Sequence, residues 1–233
     1  MLDKRFITKT EMLTETWFVQ RLAKFTSSNM HFLMGDRGLG DGGYSYIFEK
    51  VGELLKGMPS KKEITTDATE HGHFYEAENL RLFGEYMGLE FLVTQKLIVD
   101  PDRMLGSTPD ALWVERESLD EKFYIVNTVE AKCPVSDSAY IKLWNCTTAE
   151  EVKKVEKKYY WQVLDQMRMC GSLKGYLSIY NPFYKAGGLN IVEFKKIDLT
   201  QDFKLLNQRI DMAIGVFNEQ KTKMINSKFN FKK

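Results

Sequence analysis

The sequence predicts a mixed α/β fold bordering on α+β, in which a mixed β-sheet is flanked by helices. Helical spacing and strand-rich runs follow in the order three helices, three strands, two helices, two strands and one helix, without the strict alternation of a doubly wound sheet. No internal repeat or low-complexity tract suggests a solenoid or a disordered chain. At 233 residues one core suffices, so a single domain is expected, with a helical part over about 1–88 and a sheet core with flanking helices over about 89–233.

Each element has its own signal. In TETWFVQRLAKFTSSNMHFLM (14–34), Trp17, Phe18, Leu22 and Phe25 have helical spacing, and Thr26-Ser27-Ser28 supplies cap-type residues for a second short helix. GDRGLGDGG (35–43) has five glycines but neither a preceding strand nor a Lys-Ser/Thr ending, so it predicts a surface loop and no phosphate cradle. A helix follows over about 44–56, then the polar link GMPSKKE, then a helix over about Thr66–Met87 stopped by Gly88. FLVTQKLIV, MLGSTPDALWVE and KFYIVNTVEAKC, joined by turn-sized links, predict an antiparallel meander from residue 91. After Pro134 come helices at about 137–145 and 148–171, strands at 175–181 and 189–197, and a last helix at about 199–223.

Composition narrows the function classes. Lys and Arg total 33 against 32 Asp and Glu, so a nucleic-acid partner has to be met by a local patch and not by the whole-molecule field. No apolar run is long enough for a membrane span and the N-terminus lacks a signal-peptide pattern, so a soluble cytoplasmic protein without a membrane partner is expected. Cys133, Cys146 and Cys170 are too dispersed for a zinc site and read as free thiols. His71 and His73, with Glu76, lack a further His or Cys at ligand spacing and read as helix-start residues beside a cleft, and His31 reads as a partly buried ring.

The chemistry concentrates in VEAKCP (129–134). Strand alternation puts Glu130 and Lys132 on one face and Val129, Ala131 and Cys133 on the other, which makes Cys133 a packing residue. Asp110 follows Thr108-Pro109, where proline demands an edge, bulge or strand break that can turn the carboxylate towards the neighbouring strand. Two close carboxylates raise one another's pKa unless a divalent cation lies between them, and hard oxygen donors suit Mg²⁺ or Mn²⁺. Such an ion with a lysine beside it is the outline of phosphodiester hydrolysis. The bland alternative is a solvated Glu-Lys pair of little consequence. The apolar neighbours argue against it, because buried charges are rare unless paired, metal-bound or catalytic.

The ordered elements Pro109-Asp110 and Glu130-Ala131-Lys132 match the PD-(D/E)XK nuclease pattern, and VEAKCP resembles its form in the lambda-exonuclease or YqaJ-type viral recombinase family. RLAKFTSSNM (21–30) resembles that family's N-terminal Arg-Leu/Thr-x-Ser element, HGHFYEAENLRLF (71–83) its Gly-x-x-x-Glu helix, and YYWQVLDQMRMCG (159–171) its helix with two Gln four residues apart. The resemblance spans roughly 17–182 and implies a restriction-endonuclease-like core. It also implies that Asp110, Glu130 and the Ala131 main-chain carbonyl bind metal, that Lys132 handles the nucleophilic water, and that Glu76 adds an acid near a second ion. Gln162 is then a hydrogen-bonding partner of the site, and Arg21 and Ser28 hold a DNA terminal phosphate. Each has a plain competitor: Glu76 on a solvated helix face, Gln162 as a flank amide, Ser28 as a helix cap. KKVEKK (153–158) is either a solvated face or a set of phosphate contacts.

The resemblance further implies two Mg²⁺ ions, replaceable by Mn²⁺, and 5′-to-3′ digestion of double-stranded DNA ends in phage-type recombination, within a bacterial host or encoded by a phage. A single-strand annealing protein is the implied partner, and a homotrimer the implied assembly. An endonuclease of the same fold and a non-catalytic DNA-end-binding module are the alternatives. The stretch between Asp110 and Glu130, carrying RESLDEK, is longer than the family pattern suggests, which puts the entry of duplex ends in question.

Overall fold

The computed structural model describes residues 1–10, 14–60, 67–90, 92–100, 102–118, 121–185 and 188–226. Thr66 at the expected helix start, the far part of the GMPSKKE link, Phe91 and the tip of the RESLDEK hairpin lie outside the described residues.

One sheet organises the chain. Strands β1 (Leu2–Asp3), β2 (Phe25–Thr26), β3 (Val93–Thr94), β4 (Ile98–Asp100), β5 (Leu105–Ser107), β6 (Ala111–Glu117), β7 (Phe123–Lys132), β8 (Lys174–Tyr180) and β9 (Leu189–Lys195) alternate with helices α1 (Glu15–Arg21), α2 (Gly40–Lys56), α3 (Asp67–Met87), α4 (Asp137–Trp144), α5 (Ala149–Val155), α6 (Lys157–Cys170) and α7 (Thr200–Asn226). The main sheet runs β3-β6-β7-β8-β9 with β1 also on β7. Only β7 and β8 are parallel among these pairs, as their long helical crossover requires. The mixed sheet flanked by helices is the architecture expected.

Alternation along β7 sorts its side chains onto two faces. Val129 and Ala131 pack with Leu80 and Phe83 of α3 and Tyr176 of β8, while Val126 joins the larger core with Val163, Leu164 and Met167 of α6. β7 is thus clamped between α3 and α6. Gly88, at φ +67, ends α3 by a paired closure, its N–H donating to the Glu85 carbonyl at 3.2 Å and that of Leu89 to Gly84 at 2.9 Å.

Four expectations change. The meander is divided, because the first strand-rich run splits between β3 in the main sheet and β4, which pairs with β5 and β2 in a separate small sheet. Pro109 stands at the break between β5 and β6, where no ladder N–H is needed. The N-terminal part is not wholly helical, since β1 and β2 deliver chain to both sheets. The glycine run is no loop throughout: α2 begins at Gly40, and a Cβ on Gly43 would lie 3.0 Å from the Phe32 carbonyl and 3.1 Å from the Leu39 Cβ, so glycine lets the helix start against the backbone beneath it. Finally, the helix expected over 148–171 breaks at Glu156, whose φ of −146° is non-helical and whose carboxylate accepts the Lys158 N–H, starting α6 in a new direction.

Candidate active site

The C-terminal end of β7 opens into a cleft of about 380 Å³ lined by Glu76, Lys132, Pro134, Lys158, Tyr159 and Gln162 among others. Because Glu130 is on the α6 face of β7, its side chain meets that helix directly and is only 1% exposed. Gln162 Nε2 donates to its Oε1, Gln166 Nε2 to its Oε2, and the Lys132 ammonium to Oε1. The four-residue spacing places both amides on one side of α6, so the two carboxylate oxygens are gripped from a single helix. Lys132 Nζ also lies 4.0 Å from Asp110 Oδ2 and 5.3 Å from the centre of the Tyr159 ring.

Asp110 enters from the turn before β6. Its Oδ2 accepts the Ala131 N–H at 2.7 Å, which docks the carboxylate onto β7 next to Lys132. Burial, then the negative charge of Glu130, push its pKa well above the ordinary Asp value; the Lys132 ammonium pulls the other way and does not win. Glu76, on α3, is raised in the same sense, first by burial and further by Glu130, against the pull of Lys132 and a hydrogen bond from Gln95. Lys132 itself loses solvation on burial, which favours its neutral form, but Glu130 and Asp110 outweigh that and drive its pKa upward. The ammonium stays charged and serves as counter-ion to an acidic pocket.

The expected residues do not all converge. Asp110, Glu130, Ala131, Lys132, Gln162 and Glu76 meet at one end of β7. Ser28 lines the same cleft from the 3₁₀ helix Ser27–Leu33. Arg21 does not: its guanidinium stacks 4.0 Å over Trp17 and lines a neighbouring depression with Thr26 and Asn29, joined to Ser28 through the Thr26 hydroxyl at 3.4 Å. His73 lines the cleft and stands 3.8 Å from Glu76. Burial pushes the Cys133 thiol up to about 11, in keeping with a packing role.

Several residues were missed. Gln166 was visible as the second glutamine of α6, yet only the fold shows that it takes the other oxygen of Glu130. Gln95, at φ +54, donates its main-chain N–H to the Asp110 carbonyl at 3.2 Å while its side chain bonds Glu76, and nothing in Thr-Gln-Lys announces that. Asn79, fully buried, donates to the Ser178 carbonyl at 3.1 Å and the Lys132 carbonyl at 3.4 Å, tying α3 to the ends of β7 and β8.

Among the described residues no three His, Cys, Asp or Glu side chains close into a ready cation cluster. The donor chemistry nevertheless fits a hard cation, because Asp110 and Glu130 are oxygen donors, and burial together with the Glu130 charge raises the proton affinity of both Asp110 and Glu76.

Comparisons with known proteins identify the family and the fold. The family model for the YqaJ-like viral recombinase domain matches residues 16–172. This chain belongs to the YqaJ-like viral recombinase family. The matched segment holds every site residue named above apart from Ser178 on β8. Solved structures with the same fold include an alkaline exonuclease (LHK-Exo) from Laribacter hongkongensis, 19% identical with TM-score 0.69, covering 91% of this chain and 96% of that one. The LHK-Exo complex with dAMP is 20% identical with TM-score 0.67, covering 91% and 94%. A phage-related exonuclease from Haemophilus somnus 129PT is 14% identical with TM-score 0.62, covering 86% and 96%. No curated protein matches the sequence. Among the described residues of this YqaJ-like chain, no helix is long and apolar enough to cross a membrane.

Proposed function

We propose that this chain is a Mg²⁺-dependent deoxyribonuclease, a 5′-to-3′ exonuclease acting on double-stranded DNA ends. The observation that carries the reading is the meeting of Asp110, Glu130 and Lys132 at the end of β7. Family membership and the nucleotide bound to the similar LHK-Exo support it.

Asp110, Glu130 and the Ala131 carbonyl would hold the first ion, and Glu76 would contribute to a second. A bound divalent cation supplies a more acidic water and neutralises charge on a phosphate oxygen. The side chains do the rest. Lys132, kept protonated by Glu130 and Asp110, donates from Nζ to a phosphate oxygen as negative charge grows there. Gln162 and Gln166 fix both oxygens of Glu130, so the carboxylate does not reorganise during the reaction. Tyr159 lines the cleft with its ring facing the Lys132 ammonium, and Lys158 and Ser28 offer a cation and a hydroxyl to the backbone of a DNA end. Arg21, one depression away, serves the terminal phosphate only if the end reaches past Thr26. Replaceability by Mn²⁺, a homotrimeric ring and a single-strand annealing partner in phage-type recombination complete the proposal on family grounds.

Digestion of linear duplex, labelled at the 5′ or the 3′ end, tests it. Cleavage in Mg²⁺ that stops in EDTA and in Lys132→Ala is expected. Cleavage that persists in EDTA, or survives the substitution, overturns the mechanism. A covalently closed circle separates exonuclease from endonuclease, since only the latter opens it.

A further inference from the structure

The wall of the cleft continues into an aromatic cluster that the reaction does not use. His71, Phe74 and Tyr75 project from α3 around Gly72 and His73, which line the cleft. Phe183 joins them from the turn after β8: its ring centre lies 6.1 Å from that of Tyr75 and 6.1 Å from that of His71, and Phe74 packs edge-on to Tyr75 at 4.8 Å. Phe74 is 76% exposed and Phe183 70%, and both pack on the Tyr75 ring, an unusual exposure for large apolar rings gathered in one cluster. The turn holding Phe183 is built: Asn181 accepts the Phe183 N–H at 3.0 Å and donates to the carbonyl of Pro134, a cleft residue, at 3.1 Å. His71 Nε2 is buried and has no hydrogen-bond partner among the described residues, which is uncommon away from ligand-facing sites.

We propose that Phe74 and Phe183, backed by Tyr75 and His71, form a stacking platform for the unpaired nucleobases of a DNA strand at the mouth of the cleft; the proposal rests on the nuclease reading above. The occupant follows from continuity: the ring-bearing turn of α3 and the Pro134 end of β7 each belong at once to the platform and to the cleft, so a strand whose phosphate lies near Lys132 and Lys158 brings neighbouring bases against these rings. Rings held from below and open above suit bases of any sequence, because every base presents a π-face.

The test titrates the whole chain in EDTA, where cleavage is stopped, with a 2-aminopurine-labelled single-stranded overhang on a duplex and with a blunt duplex. Quenching of the 2-aminopurine by the native chain is expected. Phe74→Ala with Phe183→Ala is expected to weaken overhang binding about tenfold or more while changing blunt-duplex binding little, and Phe74→Trp with Phe183→Trp to restore it. Absence of quenching, or a loss under twofold, or equal loss on both substrates, overturns the platform. Sedimentation showing that the alanine pair dissociates an oligomer without changing overhang binding would make the patch a contact between copies and also overturn it. If the native chain cleaves DNA in Mg²⁺ while the platform fails, the nuclease reading stands; if it neither cleaves nor binds DNA, both fall.

Discussion

Replacing Lys132 by Met removes one positive charge from an acidic pocket while keeping the apolar stem. At 4.0 Å from Asp110 Oδ2, with an effective dielectric near 20, the attraction is about 4 kcal/mol. Glu130, in direct hydrogen-bond contact, contributes at least as strongly. Against this stands the desolvation of the ammonium, several kcal/mol for a buried ion. Deleting one member of such a pair leaves the other charges uncompensated, so the net destabilisation expected in EDTA is about 3–5 kcal/mol, a large part of a domain's usual margin. Urea unfolding of the native and Lys132→Met chains in EDTA measures it. Mg²⁺ at a hundredfold excess over the variant's dissociation constant is then expected to stabilise the variant by about 2.7 kcal/mol, and the native chain by less at the same concentration, because the acids of the variant have lost their internal counter-ion. Nuclease activity is expected to remain absent throughout. A destabilisation below about 1 kcal/mol in EDTA, at an unchanged denaturant slope, would refute the assignment of Lys132 as the charge that balances Glu130 and Asp110.

Asp110 gives a prediction of opposite sign. Its folded pKa is raised, so the folded chain keeps a proton the unfolded chain has already lost; stability falls as pH climbs from the unfolded value of about 3.9 through the raised folded one, and the penalty is complete above it. In EDTA at neutral pH Asp110→Asn is therefore expected to melt higher than the native chain and to lose part of its pH dependence while losing cleavage, and a lower melting temperature would contradict the repulsion. Gln166→Ala leaves a fully buried carboxylate oxygen without its donor, and about 1–3 kcal/mol is expected to be lost in unfolding free energy; combined with Gln162→Ala, the two losses are expected to be non-additive in a double-mutant cycle, because both amides hold one carboxylate. Asn79→Ala frees the ends of β7 and β8, so kcat is expected to fall with KM little changed, and kinetics in which only KM moves would show that Asn79 does not position Lys132.

Much of the site was legible because its chemistry is local. Alternation along β7 sets Glu130 and Lys132 on one face whatever surrounds them, and Pro109 breaks the chain where Asp110 has to turn. The register between β6 and β7 then decided the rest: Ala111 pairs with Val129, which brings Asp110 level with Glu130 and its carboxylate within reach of the Ala131 N–H. Gln166, Gln95 and Asn79 were illegible as site residues for one reason. Each acts through a partner distant in sequence, and an amide carries no mark of which carboxylate or carbonyl it will meet.

The misread elements share a cause. Glycines at 40, 42 and 43 look like a loop until the Phe32 carbonyl is seen crowding Gly43, and the charged heptad before Tyr159 looks like one helix until Glu156 turns α6 under the sheet. By itself the sequence determined the helix and strand periods, the face on which the acid and lysine of VEAKCP stand, and the family to which the chain belongs, since these depend on residue order and on the fixed repeat of 2 or 3.6 residues. Only the tertiary structure decided that Asp110 reaches β7, that α6 grips both oxygens of Glu130, and that Arg21 stands in a neighbouring depression while Ser28 enters the cleft. Those relations join segments across the sheet, and only packing fixes their distances.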